Sequence, residues 1–331
     1  MKQGRLIAGL VAAALAIGVG VWASGVFQTG GDLSRFERDA KARAEAAKAQ
    51  RATAGMFRAT VCSHGPCVLV EAGGLAFLVG AGTGSAEGLV SRGLMRADLD
   101  GVLLNDFGLG SVEGLPGLRK ASLAAGRAEP LPVFGPEGAL PAIDGANLML
   151  TGTTNDSARL TVGVEGGDQG LEGMLVFDSG VVAVRAFPVS EADARIYRID
   201  FSGRSLLIAG CSAKPDDLIA AARGAKQASA IVAASSGKML EIERKAARTT
   251  GAPLRDEAET CMSAEGIIDA AQQARLSAGL FSPLVPAATD SLLRRTWAES
   301  ATIPPDVPFA LGEPGTVLDL TAQTPVIIHP R

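Results

Sequence analysis

The sequence predicts an α/β fold of two packed sheets with helices on their outer faces, preceded by an N-terminal transmembrane or signal helix. Three observations predict it. Each half of the chain reads in one order, a hairpin, a loop, a helix and then a buried strand. With 331 residues, 47% of them hydrophobic, the chain has ample material for a large core. Ahead of both halves, Lys2 and Arg5 are followed by an uncharged run from Leu6 to Phe27.

At about 1.5 Å per residue that run is long enough to cross a hydrocarbon core of about 30 Å. Residues 1–28 therefore read as a membrane anchor or signal segment that meets the membrane through residues 6–27. Val21–Ala23 resembles a small-residue cleavage site, whereas the run exceeds the usual signal core of about 7–15 residues, so anchor and cleaved signal both stay open. Arg35, Arg38, Lys41, Arg43 and Lys48 put more positive charge after the run than before it, which favours the opposite topology. The short basic tail before the run and the cysteines favour export to an oxidising compartment. Residues 29–55 form a charged juxtamembrane helix or linker: Ser34–Gln50 is rich in helix formers with pairs such as Glu37 and Lys41, and Phe36 alone makes no heptad seam. The globular domain is expected over residues 56–331.

A formal net charge of −4 and 4% aromatic residues give neither a basic field for phosphate backbones nor stacking platforms, so no nucleic acid is expected as a partner. Two histidines, His64 and His329, cannot build a histidine-rich metal site. Cys62 and Cys67 are close enough in sequence to pair across a tight turn, and two reduced cysteines near a strand start are an equal alternative. His64 between them lacks a fourth ligand from the same turn, and His329 reads as surface.

Within the domain, Cys67–Glu71 and Leu75–Val79 read as strands joined by a tight turn at Gly73-Gly74. The loop Gly80–Gly88 opens a helix, but its glycine spacing fits a dinucleotide-binding fingerprint poorly. Asp98–Asp100 leads into a strand that ends at Asn105, and Glu87, Asp98, Asp100 and Glu113 read as helix ends and solvated faces. Helix then prolines follow to Ala142, with a short strand in Leu131–Pro136, while residues 145–173 read as irregular strands or loop. The second half gives strands at Val181–Phe187, Arg195–Phe201 and Arg204–Ala209, a loop at Gly210–Pro215, a helix over Asp216–Ala225 and a buried strand at Ser229–Ala234.

Cys67-Val-Leu-Val-Glu-Ala-Gly-Gly74, Phe77-Leu-Val-Gly-Ala-Gly-Thr-Gly-Ser85, Leu103-Leu-Asn-Asp-Phe-Gly-Leu-Gly-Ser-Val-Glu-Gly-Leu-Pro116, Leu131-Pro-Val-Phe-Gly-Pro136 and Tyr197-Arg-Ile-Asp-Phe-Ser-Gly-Arg-Ser205 resemble the metallo-β-lactamase superfamily in its ribonuclease Z-like branch. The leader followed by Phe36-Glu-Arg38 resembles a bacterial membrane-anchored subgroup of it. The resemblance spans about residues 56–315 and implies an αββα sandwich of two mixed sheets, placed at the bacterial inner membrane facing the periplasm, or in the periplasm if the signal is cleaved.

Members of that superfamily bind two metals, usually zinc, through an H-x-H-x-D-H motif. The resemblance sets Asp106, Gly108, Gly110 and Ser111 at those positions. It likewise sets Gly80 where a supporting aspartate is expected, Ser190, Cys261 and Pro283 where histidines are expected, and Cys211 where the bridging aspartate is expected. No catalytic residue, metal ligand or cofactor is expected from this set, although Asp106, Cys211 and Cys261 remain as ligands for a single metal, and Ser111 lacks a nearby base. The resemblance also turns Cys211 and Cys261 toward the former catalytic cleft, where a disulfide between them is a hypothesis. The resulting expectation is a catalytically degenerate protein with a binding or scaffolding role, acting through a protein partner or a homo-oligomer. The alternatives are a phosphodiesterase-like hydrolase with an unconventional metal site and a non-catalytic subunit of an active paralogue.

Overall fold

In the computed structural model the described residues are 55–150, 159–162, 173–250, 260–301, 303–304 and 308–330. The expected membrane segment at 1–28 and the helix at 34–50 lie outside them. Among the described residues no helix is long and apolar enough to cross a membrane.

Three antiparallel strands open the domain, β1 (Phe57–Val61), β2 (Val68–Ala72) and β3 (Leu75–Val79). Helix α1 (Ser85–Ser91), strand β4 (Gly101–Leu103), the single turn α2 (Leu109–Val112) and helix α3 (Leu115–Ala124) follow. Strand β5 (Leu131–Phe134), helix α4 (Leu140–Leu150) and strand β6 (Leu160–Val162) complete the first half. The second half repeats the pattern with β7 (Met174–Asp178), β8 (Val182–Val189), β9 (Ala192–Phe201), β10 (Arg204–Ala209), α5 (Pro215–Ala222) and β11 (Ala228–Ser235). Helices α6 (Gly237–Thr250) and α7 (Ala264–Gln273), strand β12 (Ala278–Val285), helix α8 (Ser291–Ser300) and the short strands β13 (Phe309–Leu311), β14 (Val317–Asp319) and β15 (Val326–Ile328) end it.

Pairing gives an eight-stranded sheet in the order β15-β14-β1-β2-β3-β4-β5-β6 and a seven-stranded sheet in the order β13-β12-β11-β10-β9-β8-β7. Both are mixed: β3 to β6 and β10 to β13 run parallel, and the hairpins of each half are antiparallel. A strand's side chains alternate between its faces, and here both faces are buried. In β10, Leu206 and Ile208 enter the core between the sheets, while Leu207 and Ala209 enter the core under α5 and α7. In β3, Phe77 and Val79 face the other sheet while Ala76 and Leu78 face the helices of the first half. Edge-to-face pairs such as Phe57 with Phe201 close the middle layer, ring centroids 5.8 Å apart. The result is a four-layered αββα sandwich with three apolar layers.

Within the fold, the structure differs from the sequence reading at residues 145–150 and at Asp98 and Asp100. Residues 145–150 continue α4 rather than forming strand or loop, because Asn147 uses its amide to hold β6: its Nδ2 donates to Leu160 O at 3.0 Å and its Oδ1 accepts from Leu160 N at 2.8 Å. Asp98 and Asp100 are structural rather than solvated. Asp100 accepts from Ala76 N at 2.7 Å, and Asp98 and Glu71 hold the buried Arg96 guanidinium at 2.9 and 2.5 Å. Removing one partner of a buried pair leaves the other charge uncompensated, so Arg96→Ala is expected to lower stability by about 3 kcal/mol. Urea unfolding monitored by tryptophan fluorescence measures this, and a loss below about 1 kcal/mol would mean the network is screened like a surface pair.

Candidate functional site

A cleft of about 780 Å³ opens where the C-terminal ends of β3 and β4 face those of β10, β11 and β12. Strand ends of one direction leave their loops on one side of a sheet, which is why α/β folds gather side chains there. Of the positions singled out by the sequence, Gly80, Asp106, Gly108, Gly110, Ser111, Cys211 and Pro283 line this cleft, as does Cys67. Ser190 does not; it sits in the exposed turn between β8 and β9, where its N–H donates to Asp217 at 3.1 Å. Cys261 lies buried behind the lining, disulfide-bonded to Cys211, and Cys62 is bonded to Cys67.

The glycine loop after β3 is shaped by backbone contact. Gly80 has φ +78°, and a Cβ there would stand 2.6 Å from Pro66 O; a Cβ on Gly82 would collide with Gly110 O. The amides of Gly80, Ala81 and Gly82 donate to Leu103 O, Ser111 O and Pro66 O at 2.8, 3.0 and 3.0 Å. None of these three amides is free to cradle a phosphate, which adds to the poor glycine spacing against a dinucleotide role.

The loop after β4 is anchored at its start. Asn105 is buried, and its Nδ2 donates to Arg195 O at 2.8 Å and to Ile208 O at 3.0 Å. Asp106 then turns the chain by accepting from Gly108 N at 3.0 Å. Phe107 and Leu109 are exposed beside the opening. Ser111 is buried, and its backbone is bonded to Gly108 and Ala81; among the described residues no base is hydrogen-bonded to its hydroxyl.

Three residues of the lining were not assigned to it by the sequence: His64, Glu113 and Asp193. His64 reaches the cleft because the Cys62–Cys67 bond folds its turn against the loop at Thr83, and Asp193 comes from the start of β9. Glu113 accepts a hydrogen bond from Thr83, and Asp193 accepts from Gly138 N at 3.0 Å and pairs with Arg195 at 3.3 Å. The lining holds three carboxylates and no lysine or arginine. Partial burial lowers the His64 pKa below its ordinary value, Arg92 and Arg294 push the same way and Glu313 opposes them, so the imidazole is neutral at pH 7.

The two-zinc centre implied by the resemblance does not fit this donor set. Gly108, Gly110 and Gly80 offer no side-chain donor, Asp106 is engaged with its own loop, and the Cys211 sulfur is bonded to Cys261 rather than free as a thiolate. Among the described residues no three His, Cys, Asp or Glu side chains converge as metal ligands would.

No family model and no curated protein sequence matches the chain. Solved structures do. The metallo-β-lactamase fold protein YhfI from Bacillus subtilis matches with a TM-score of 0.56 at 14% identity, over 80% of this chain and 98% of its own. The short form of human tRNase Z matches with 0.51 at 17% identity over 69% and 92%, and a diphosphatase of the PhnP family with 0.51 at 14% identity over 76% and 83%. The chain has the metallo-β-lactamase fold.

Asn105→Ala strands two buried carbonyls and is expected to cost about 2–3 kcal/mol in chemical denaturation. Asn105→Asp should recover none of it, since a carboxylate cannot donate; full stability in either variant would contradict the anchoring role. In an NMR titration His64 should show its midpoint below about 6.5, moving up in Arg92→Gln. Folding favours the neutral ring, so its contribution to stability is present above the unfolded-state pKa and disappears as pH falls through the folded one. A midpoint at or above 6.5 would refute this account.

Proposed function

We propose that this chain is a catalytically degenerate metallo-β-lactamase-fold protein of the ribonuclease Z-like kind, whose remodelled cleft serves binding or scaffolding at the bacterial cell envelope. The observation that carries the reading is the donor set of the cleft: glycines, a proline and a disulfide sulfur stand where the family's metal ligands are expected. Electrostatics supports it as well. A cleft with three carboxylates, a neutral histidine and no lysine or arginine repels the phosphodiesters that a hydrolase of the ribonuclease Z type would cleave. Its apolar walls, from Val68, Val79, Ile208 and Leu284, suit an uncharged or cationic ligand instead.

The envelope location rests on the uncharged run at residues 6–27 and on two disulfides, which persist in oxidising compartments. In this reading the domain faces the periplasm, tethered by its leader or released from it, and works with a protein partner or as a homo-oligomer. Metal analysis of the purified chain, together with turnover of a chromogenic phosphodiester, tests it. The expected result is well under one tightly bound metal per chain and no turnover above buffer. About two metals per chain with turnover would establish the rival reading, a hydrolase with an unconventional centre.

A further inference from the structure

The end of the second sheet away from the cleft carries a separate groove of about 390 Å³. It forms where β8 and β10 begin and where the chain enters β11, between the turns at Gly180 and at Ser202-Gly203. Arg185, Arg198, Arg204, Arg223 and Lys226 line it, against the two carboxylates Asp178 and Asp200. In a chain of formal net charge −4, this is a local excess of the opposite sign.

Part of that charge is used internally. Arg198 is 5% exposed, donates to Asp200 at 3.1 Å and to the carbonyls of Ala221 and Arg223 at 3.0 and 2.9 Å, and lies 4.9 Å over the Phe187 ring. Asp200 also accepts from Ser205 Oγ at 2.6 Å and stands 3.8 Å from Arg185. Asp178 is turned to Gly180 N at 2.7 Å. Arg204, Arg223 and Lys226 form no ion pair among the described residues, and Arg204 Nε is buried with no hydrogen-bond partner. The groove's two carboxylates are taken up by Arg185, Arg198 and the Gly180 amide, so three cations around one concavity, two of them exposed, are left for an oxyanion with several acceptor oxygens.

We propose that this groove binds a phosphate dianion, free or as the phosphomonoester end of a larger molecule, between Arg185, Arg204, Arg223 and Lys226. The site is independent of the cleft and of its reading as a degenerate centre, since β10 lies between the two. The test is calorimetric titration of the full-length chain in non-ionic detergent, with inorganic phosphate in one arm and short-chain phosphatidate added to the micelles in the other. Saturable binding is expected, weakened about tenfold by Arg204→Gln and by Lys226→Gln. Binding in the phosphate arm identifies a soluble anion, and binding confined to phosphatidate identifies a lipid headgroup; each supports the site. Lys226 is exposed, and among the described residues its side chain bonds to no neighbour, only its backbone N–H to Ser205, so Lys226→Gln decides the matter if Arg204→Gln misfolds. No binding in either arm up to about 10 mM, or binding that Lys226→Gln leaves unchanged, overturns the proposal.

Discussion

Two sheets packed through apolar side chains attract each other without direction, so their relative placement depends on the few polar bonds that cross the gap. At the cleft those bonds converge on Leu104 and Asn105. The Tyr197 hydroxyl donates to Leu104 O at 3.1 Å, Arg195 N donates to Asn105 O at 2.6 Å, and the Asn105 amide reaches Arg195 O and Ile208 O. These bonds tie the exit of β4 to β9 and β10, and every residue of the following loop takes its position from that tie. Gly210, at the exit of β10, then comes so close that a Cβ on it would stand 3.3 Å from Asp106 Oδ2.

What holds these loops in place is the path of their backbone. Ala81 N donates to Ser111 O and Gly114 N donates to Ala81 O, so the loops after β3 and β4 are laced together main chain to main chain. Such lacing is indifferent to the side chains at Asp106, Gly108 and Gly110. The strand-end cleft is therefore held open by main-chain bonds rather than by the side chains that line it.

The hairpins β2–β3 and β9–β10 were legible because tight turns carrying Gly73-Gly74 and Ser202-Gly203, whose glycines take positive φ readily, stand between apolar strands. The two-sheet architecture followed from the repeat of hairpin, loop, helix and strand, and the place of the cleft from the resemblance at residues 103–116. Long-range pairing was not legible: β14 closes against β1 with Val317 opposite Thr60, a partnership of short segments that local patterning does not encode. Nor was the presence of His64, Glu113 and Asp193 in one cleft lining, since they come from three segments far apart in sequence. Asp98 and Asp100 misled for a related reason. A carboxylate between Arg96 and a strand edge looks like a surface residue until the partner that buries it is placed.

Strand β10 has consequences as a spacer. Its six residues, Arg204 to Ala209, start in the basic groove and finish at the acidic cleft. At about 3.3 Å per residue its first and last residues are about 16–17 Å apart, and Ser205 and Ile208, which line the two sites, about 10 Å. The end-to-end span is about twice the Debye length of about 8 Å at physiological ionic strength, so solvent screens much of the influence of exposed charge at one end on the other. The strand, and the Asn105 anchor bonded to it, also make a direct mechanical connection between the two ends.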